Sequence, residues 1–148
     1  MPLTLTVVTA QRSILQQEGV TRLIVPTEDG QITILPSHAA LMTALAEGEM
    51  VVRWNGGEES IAIHGGFMQV LHDDVNVLAD AAERVEQIDI ARAEAARARA
   101  EARLAGRVDL EGGMDVLRAQ LALARSMTRL KVARRRSGSA TGAPSSRP

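Results

Sequence analysis

The 148-residue chain has no cysteine, no tyrosine, one tryptophan and one phenylalanine. Without cysteine there is no disulfide framework and no thiol nucleophile. With Trp54 and Phe67 as the only aromatics, the core has to be aliphatic, and bases of a nucleic acid find no stacking platform. No apolar run reaches the roughly 18 residues of a membrane-spanning helix. Met1-Pro2-Leu3-Thr4-Leu5 carries neither a basic stretch nor a long apolar one, so no signal peptide is expected. These absences point to a soluble cytosolic protein with no direct membrane insertion.

Catalytic groupings are also missing. His38 lies in Pro36-Ser37-His38-Ala39 without a Ser or Asp at a useful spacing, so it reads as a turn or partner contact. His64 and His72 have no metal-ligand neighbours at useful spacing. Gly65-Gly66 is not a phosphate loop, because no Gly-Lys-Ser/Thr follows and no helix begins there. It reads as a strand kink or a close backbone approach. The sequence therefore predicts no catalytic residue, no metal site and no enzymatic activity of its own.

What the chain does have is an uneven charge. Residues 1–82 hold 3 arginines against 10 carboxylates, net −7, and residues 83–148 hold 14 Lys/Arg against 8 carboxylates, net +6. The formal net charge of −1 is a cancellation of two opposite halves. Such asymmetry says that the second half meets something anionic.

The halves also differ in pattern. In the first, Leu3, Leu5 and Val7 alternate with threonines, the period of a half-buried strand. Val20–Val25 ends at Pro26, Thr27-Glu28-Asp29-Gly30 is turn chemistry, and Ile32 and Ile34 precede Pro36. Met50–Trp54 and Ser60–Ile63 flank Asn55-Gly56-Gly57, a strong hairpin signal expected to place both turn residues at positive φ. Phe67–Leu71 and Val75–Leu78 flank a turn at His72-Asp73-Asp74. Asp80 and Glu83 have capping-box spacing but read as the link from sheet to helix. The second half predicts one alanine-rich helix from about Gln87 to Ala105 and another from Met114 to about Arg135, joined by a loop with Gly106, Gly112 and Gly113. A short loop makes them antiparallel. The fold class is thus α+β and mainly β: a flattened antiparallel β-sandwich over 1–84, a two-helix hairpin over 85–136 and a disordered tail over 137–148.

At 100° per residue, Arg92, Arg99 and Arg103 fall within about 40° of one another on the first helix. Arg118, Arg125 and Arg129 do the same on the second. That helix carries two apolar faces, Met114-Leu117-Leu121-Ala124 and Val116-Leu123-Met127-Leu130. One suits packing on the first helix, and the other has to meet the sandwich, a partner or a ligand. If the two arginine stripes face each other they repel unless a polyphosphate sits between them, because guanidinium matches phosphate oxygens bidentately. The alternative is a solvated stripe paired with Glu94 and Glu101.

Five stretches resemble one family. They are Gly30 to Leu45; Ile63-His64-Gly65-Gly66-Phe67-Met68-Gln69-Val70; Val75 to Arg84; Ile88-Asp89-Ile90-Ala91-Arg92-Ala93; and Arg129-Leu130-Lys131-Val132-Ala133. In this order they are similar to the epsilon subunit of the rotary F-type ATP synthase, bacterial type, over about residues 3–135. Thr33, Ser37 and Ala40 depart from that family's commoner Gly, Gly and Pro. The resemblance implies a central-stalk subunit that joins the gamma shaft to the c-ring of a proton-translocating ATP synthase, at the cytoplasmic face of the bacterial plasma membrane. It implies a hairpin that extends into the alpha/beta hexamer to inhibit ATP hydrolysis and that folds down with ATP bound as a regulatory ligand. In that reading Ile88, Asp89 and Ala93 hold the adenine, Arg92, Arg99, Arg125 and Arg129 take phosphates and sugar, and Glu83 helps at the domain edge. The surface toward c-ring and gamma takes Glu28, Asp29, Gly30, Ser37 and His38. Lys131 and Arg134-Arg135-Arg136 either dock an acidic segment or form a solvated helix end. The competing reading is a stand-alone arginine-rich hairpin that binds a nucleotide or nucleic acid. Against nucleic acid, Glu94 and Glu101 interrupt the basic face and the acidic sheet half repels phosphate backbones.

Overall fold

The computed structural model describes residues 1–106 and 113–140. Seven strands come first: β1 Leu3–Val8, β2 Ser13–Thr27, β3 Gly30–Ile34, β4 Leu41–Trp54, β5 Gly57–Leu71, β6 Asp74–Ala79 and β7 Ala82–Arg84. A short 3₁₀ turn at Val85–Gln87 leads to two helices, α1 Ile90–Leu104 and α2 Gly113–Ala140.

The strands are longer than the punctuated sequence suggested, and their number is the same only because a merger is offset by the added β7. The two expected runs around Gly65-Gly66 are one strand, β5, that bends there, pairing with β7 before the bend and with β6 after it. β1 pairs with both β2 and β6, and the order β1-β6-β5-β4-β2 closes on itself, with β3 beyond β2. The result is a flattened barrel in which the long strands serve both layers. One ladder departs from the antiparallel expectation: β1 runs parallel to β6. Register shifts along the β2–β4 ladder, one on each strand, supply the bends that closure requires.

The core is aliphatic, as the missing aromatics demand. Leu3, Leu5, Leu23, Ile34, Met50, Ile61, Ile63 and Met68 are fully enclosed. Every buried residue of this cluster lies at or before Ala82, so the sandwich core owes nothing to the helices.

Two turns differ from expectation. Trp54 pairs with Gly57, and Gly56 takes φ +105, but Asn55 is not at positive φ. The doubly left-handed turn is instead His72-Asp73, with φ of 49° and 63°, between the paired Leu71 and Asp74. Asp73 also accepts the Ser37 amide at 2.6 Å, tying that turn to the β3–β4 loop.

The link expected at 80–84 contains β7, which sets Ala82, Glu83 and Arg84 opposite Ile63, Ala62 and Ile61. Arg84 grips Glu59 with two nitrogens, at 2.5 and 3.1 Å, and pins this short strand to β5. α1 packs principally on α2, and α2 packs on β4 and β5. Ile88, Val132 and Ala133 bury against Ala62 on the outer face of β5. The apolar faces expected on α2 are only partly the buried ones. Leu117, Leu121, Val116 and Met127 are exposed, while Ala119, Ser126, Leu130, Val132 and Ala133 are buried. In its first half α2 therefore buries small residues such as Ala119 and Ser126 and leaves Val116, Leu117 and Leu121 outside, while Leu130 and Val132 are buried further along. α2 continues past Arg136 to Ala140. The loop with Gly112, the side chains of Met114, Arg135 and Arg136, and the tail beyond 140 lie outside the described residues.

Candidate functional site

An open cleft of about 370 Å³ lies where α1, α2 and β7 meet. Glu83, Gln87, Asp89, Arg92, Ala93, Ala96, Arg99 and Arg129 form its wall. Six of the eight sequence-predicted nucleotide residues are therefore together. Ile88 is not among them, because its side chain is spent on packing α2 against β5. Arg125 is half-buried on α2 and also lies off the wall.

Local structure explains the arrangement. Asp89 is the N-cap of α1, accepting the Arg92 amide at 3.0 Å on Oδ1. The cap fixes where the helix starts, and helical periodicity then puts Arg92, Ala96 and Arg99 on one side. Alanines at 93 and 96 leave the space that makes a cleft rather than a packed seam. Asp89→Asn is expected to keep helix stability, because Asn caps as well as Asp, whereas Asp89→Ala costs about 1 kcal/mol; thermal unfolding followed at 222 nm measures both.

The arginines are not neutralised by their own helix. Arg97, off the stripe, pairs with Glu101 at 3.0 Å. Among the described residues Arg92 and Arg99 have no ion pair, and both are exposed toward the cleft mouth. Arg129 donates from Nε to Glu83 Oε1 at 2.5 Å. The same oxygen accepts from His64 Nε2 at 2.9 Å, and His64 Nδ1 faces Glu47 at 2.7 Å. A ring with a carboxylate on each nitrogen is an imidazolium. Burial by itself would push the His64 pKa down, but the bonds to Glu47 and Glu83 outweigh it and hold the pKa above 6.5. Burial likewise opposes the ionised form of Glu83, yet hydrogen bonds from His64 and Arg129 hold its carboxyl below its ordinary value. Glu83 is thus held in its ionised form by His64 and Arg129, and Asp89 keeps its charge while capping α1. With Glu83 paired, Arg92 and Arg99 outweigh Asp89, so the unpaired charge facing the cleft is cationic on balance, which fits an anionic ligand of phosphate type.

Sequence reasoning missed His64, Glu47 and Gln87. The signal for the first two was present. Pairing along an antiparallel hairpin is fixed by its turn, so a turn that sets Trp54 against Gly57 also sets Glu47 against His64.

The predicted partner-side residues form two groups. Glu28, Asp29 and Gly30 make the β2–β3 turn, and Ser37 and His38 sit in the β3–β4 loop, at opposite ends of β3. The sandwich also exposes large apolar side chains. Met42 is 70% exposed, Phe67 61% and Leu78 59%, with Phe67 and Leu78 paired across β5 and β6. Among the described residues no helix is long and apolar enough to cross a membrane.

Comparison with known proteins is consistent along the chain. Residues 2–85 match the family described as ATP synthase, Delta/Epsilon chain, beta-sandwich domain, and residues 86–134 match its long alpha-helix domain. The chain is 46% identical over 134 residues to an ATP synthase epsilon chain of Dehalococcoides mccartyi, covering 90% of this chain and 94% of that one. It is 44% identical over 136 residues to that of Herpetosiphon aurantiacus, covering 92% and 97%. Among solved structures it is similar to a chain in the mitochondrial ATP synthase of Euglena gracilis (OSCP/F1/c-ring), with a TM-score of 0.76 and 25% identity over 89% of this chain and 81% of that one.

Proposed function

The chain belongs to the delta/epsilon family of ATP synthase subunits, and on that premise we propose that its helical hairpin is a regulatory arm held folded down by ATP in the cleft between α1, α2 and β7. As an epsilon-type chain it is a non-catalytic subunit of the central stalk, with gamma, the c-ring and the F1 hexamer as partners. The exposed Phe67–Leu78 pair, with exposed Met42 opposite Gln69 in the neighbouring ladder, supports burial of this sandwich face in the assembly, because exposed apolar surface of this kind marks interaction sites. The subunit sits peripherally, on the cytoplasmic side of a bacterial plasma membrane.

The observation that carries the ATP reading is the convergence of Arg92, Arg99 and Arg129 on one cleft. Energetics support a movable arm. α1 packs principally on α2, the residues it buries are Ala93 and Ala100, and a buried methyl contributes on the order of 0.8 kcal/mol. Ordering entropy subtracts from that. ATP at 100 times its dissociation constant adds about 2.7 kcal/mol, comparable to the packing. Ligand binding is therefore sufficient to shift the balance between a folded-down and an extended hairpin. The extended form exposes further apolar surface on α2, beyond Leu117 and Leu121, for contact with the hexamer.

ATP titrated into the full chain is expected to move the amide signals of Asp89–Ala93 and Arg99. Arg99→Ala should weaken binding about tenfold or more, since a hydrogen bond to a charged group contributes about 1.5–3 kcal/mol. No response up to millimolar ATP, or an undiminished one in the variant, ends this reading.

A further inference from the structure

His64 is the buried titratable group that the nucleotide reading does not use. Its side chain is only 4% exposed, yet it stands directly behind the cleft wall. Glu83 Oε1 is shared by two donors, His64 Nε2 on the sandwich and Arg129 Nε on α2. We propose that His64 is a proton-carrying positioning residue of this cleft, competing with Arg129 for one oxygen of Glu83, so that the proton on its ring frees Arg129 for an anionic ligand. This rests on the reading of the cleft as a polyphosphate site.

Among the described residues, the charged groups that face the ring come from β4, β7 and α2. β4 offers Glu47, with Glu49 two residues on, and β7 offers Glu83. α2 brings Arg129, and beyond Glu47 a second groove is lined by Arg97, Lys131 and Arg134. Both carboxylates that bond the ring belong to the sandwich and stay with it when the hairpin moves. What the hairpin adds is Arg129, whose charge opposes the proton on His64.

The direction of the linkage follows. With the ring protonated, Glu83 is balanced by His64, and Arg129 is held less tightly. When the proton leaves, one ring nitrogen becomes an acceptor and can no longer donate to its carboxylate. If that nitrogen faces Glu83, the carboxylate turns wholly to Arg129, and the guanidinium is withdrawn from a ligand. If it faces Glu47, the site still loses one positive charge. Either way a polyanion binds less well to the deprotonated form. Because the His64 pKa is raised, the favourable proton is fully present below pH 6.5 and is lost as pH rises through the folded value. An anion in the cleft screens Arg129 and adds negative charge, so by reciprocity its binding raises the His64 pKa.

The test is NMR titration of the His64 ring in the full chain. Arg129→Gln should move the His64 pKa upward, and inorganic tripolyphosphate added to the unaltered chain should do the same. Each unit of upward shift corresponds to tenfold tighter tripolyphosphate binding at low pH than at high pH. His64→Gln, which retains a donor but no charge, should flatten that pH dependence beyond the ligand's own titration. An unchanged or lowered pKa in Arg129→Gln overturns the proposal whatever the ligand does. Cleft amides that respond to tripolyphosphate while the His64 pKa stays fixed overturn it and leave the cleft reading intact. Silence of both cleft and ring to tripolyphosphate overturns the two together.

Discussion

Gly66→Ala is expected to cost the sandwich several kcal/mol and to lower its melting temperature by about 15 °C or more, as one kcal/mol moves a domain of this size by about 4–8 °C. The residue sits at φ +120, where an L side chain is strained. A Cβ built there would lie 2.2 Å from the Leu78 carbonyl oxygen and 2.7 Å from Ala79 Cα. Both are backbone atoms of β6, so no rotamer change relieves the clash. β6 would have to back away, and Gly66 pairs with Ala79 in the same ladder while Asp80 donates to Gly65. The bend at this point lets β5 pair with β6 on one side and β7 on the other. Loss of the bend would therefore also misplace Glu83 and His64. Gly19 is the control: it too has positive φ, but an added methyl meets nothing within 4 Å. Gly19→Ala should cost only about 1–2 kcal/mol. Differential scanning calorimetry of the two variants separates steric clash from backbone strain, and equal losses would refute the account.

The same glycine pair shows how far the sequence could be read. Its identity as a kink was legible, because Gly-Gly inside an apolar alternation has few other uses. That the kink joins two expected strands into one was not legible, since either side alone looks like a complete short strand. The parallel β1–β6 ladder was equally hidden. It follows from barrel closure, a constraint that no local pattern carries. Both helices were legible in the composition, and the start of α1 is set by Asp89, whose capping role the motif Ile88–Ala93 obscured. On α2 the expected faces contribute Leu130, whereas the other buried residues are Ala119, Ser126, Thr128, Val132 and Ala133. Large side chains signal burial only when nothing closer-packing competes. For the site, helical spacing was enough to gather Arg92 and Arg99. It could not place Arg125, because the crossing of two helices decides which part of a stripe faces inward.

Ala100→Leu is expected to release the hairpin without touching a single arginine. Ala100 is 2% exposed on α1, and α1 has α2 as its principal neighbour. Three added carbons cannot fit between helices spaced by methyl groups, and overpacking of this kind costs about 1–3 kcal/mol. In the sandwich such a loss would be absorbed. In the hairpin it is comparable to the packing of α1 on α2, so the population with α1 docked should fall sharply. Leucine is a good helix former, so α1 itself should persist and helical circular dichroism should change little. The sandwich melting transition should also stay put, since its core contains no helical residue. What should change is amide exchange along both helices, which accelerates, and ATP affinity. Apparent affinity falls in proportion to the competent population, so a docked fraction of about one tenth weakens binding about tenfold. Ala98→Leu, two residues away on the exposed face, should do none of this. If Ala98→Leu and Ala100→Leu behave alike, the hairpin is not held by close small-residue packing. If Ala100→Leu opens the hairpin yet leaves ATP binding intact, the arginines bind without converging, and the cleft is not the site.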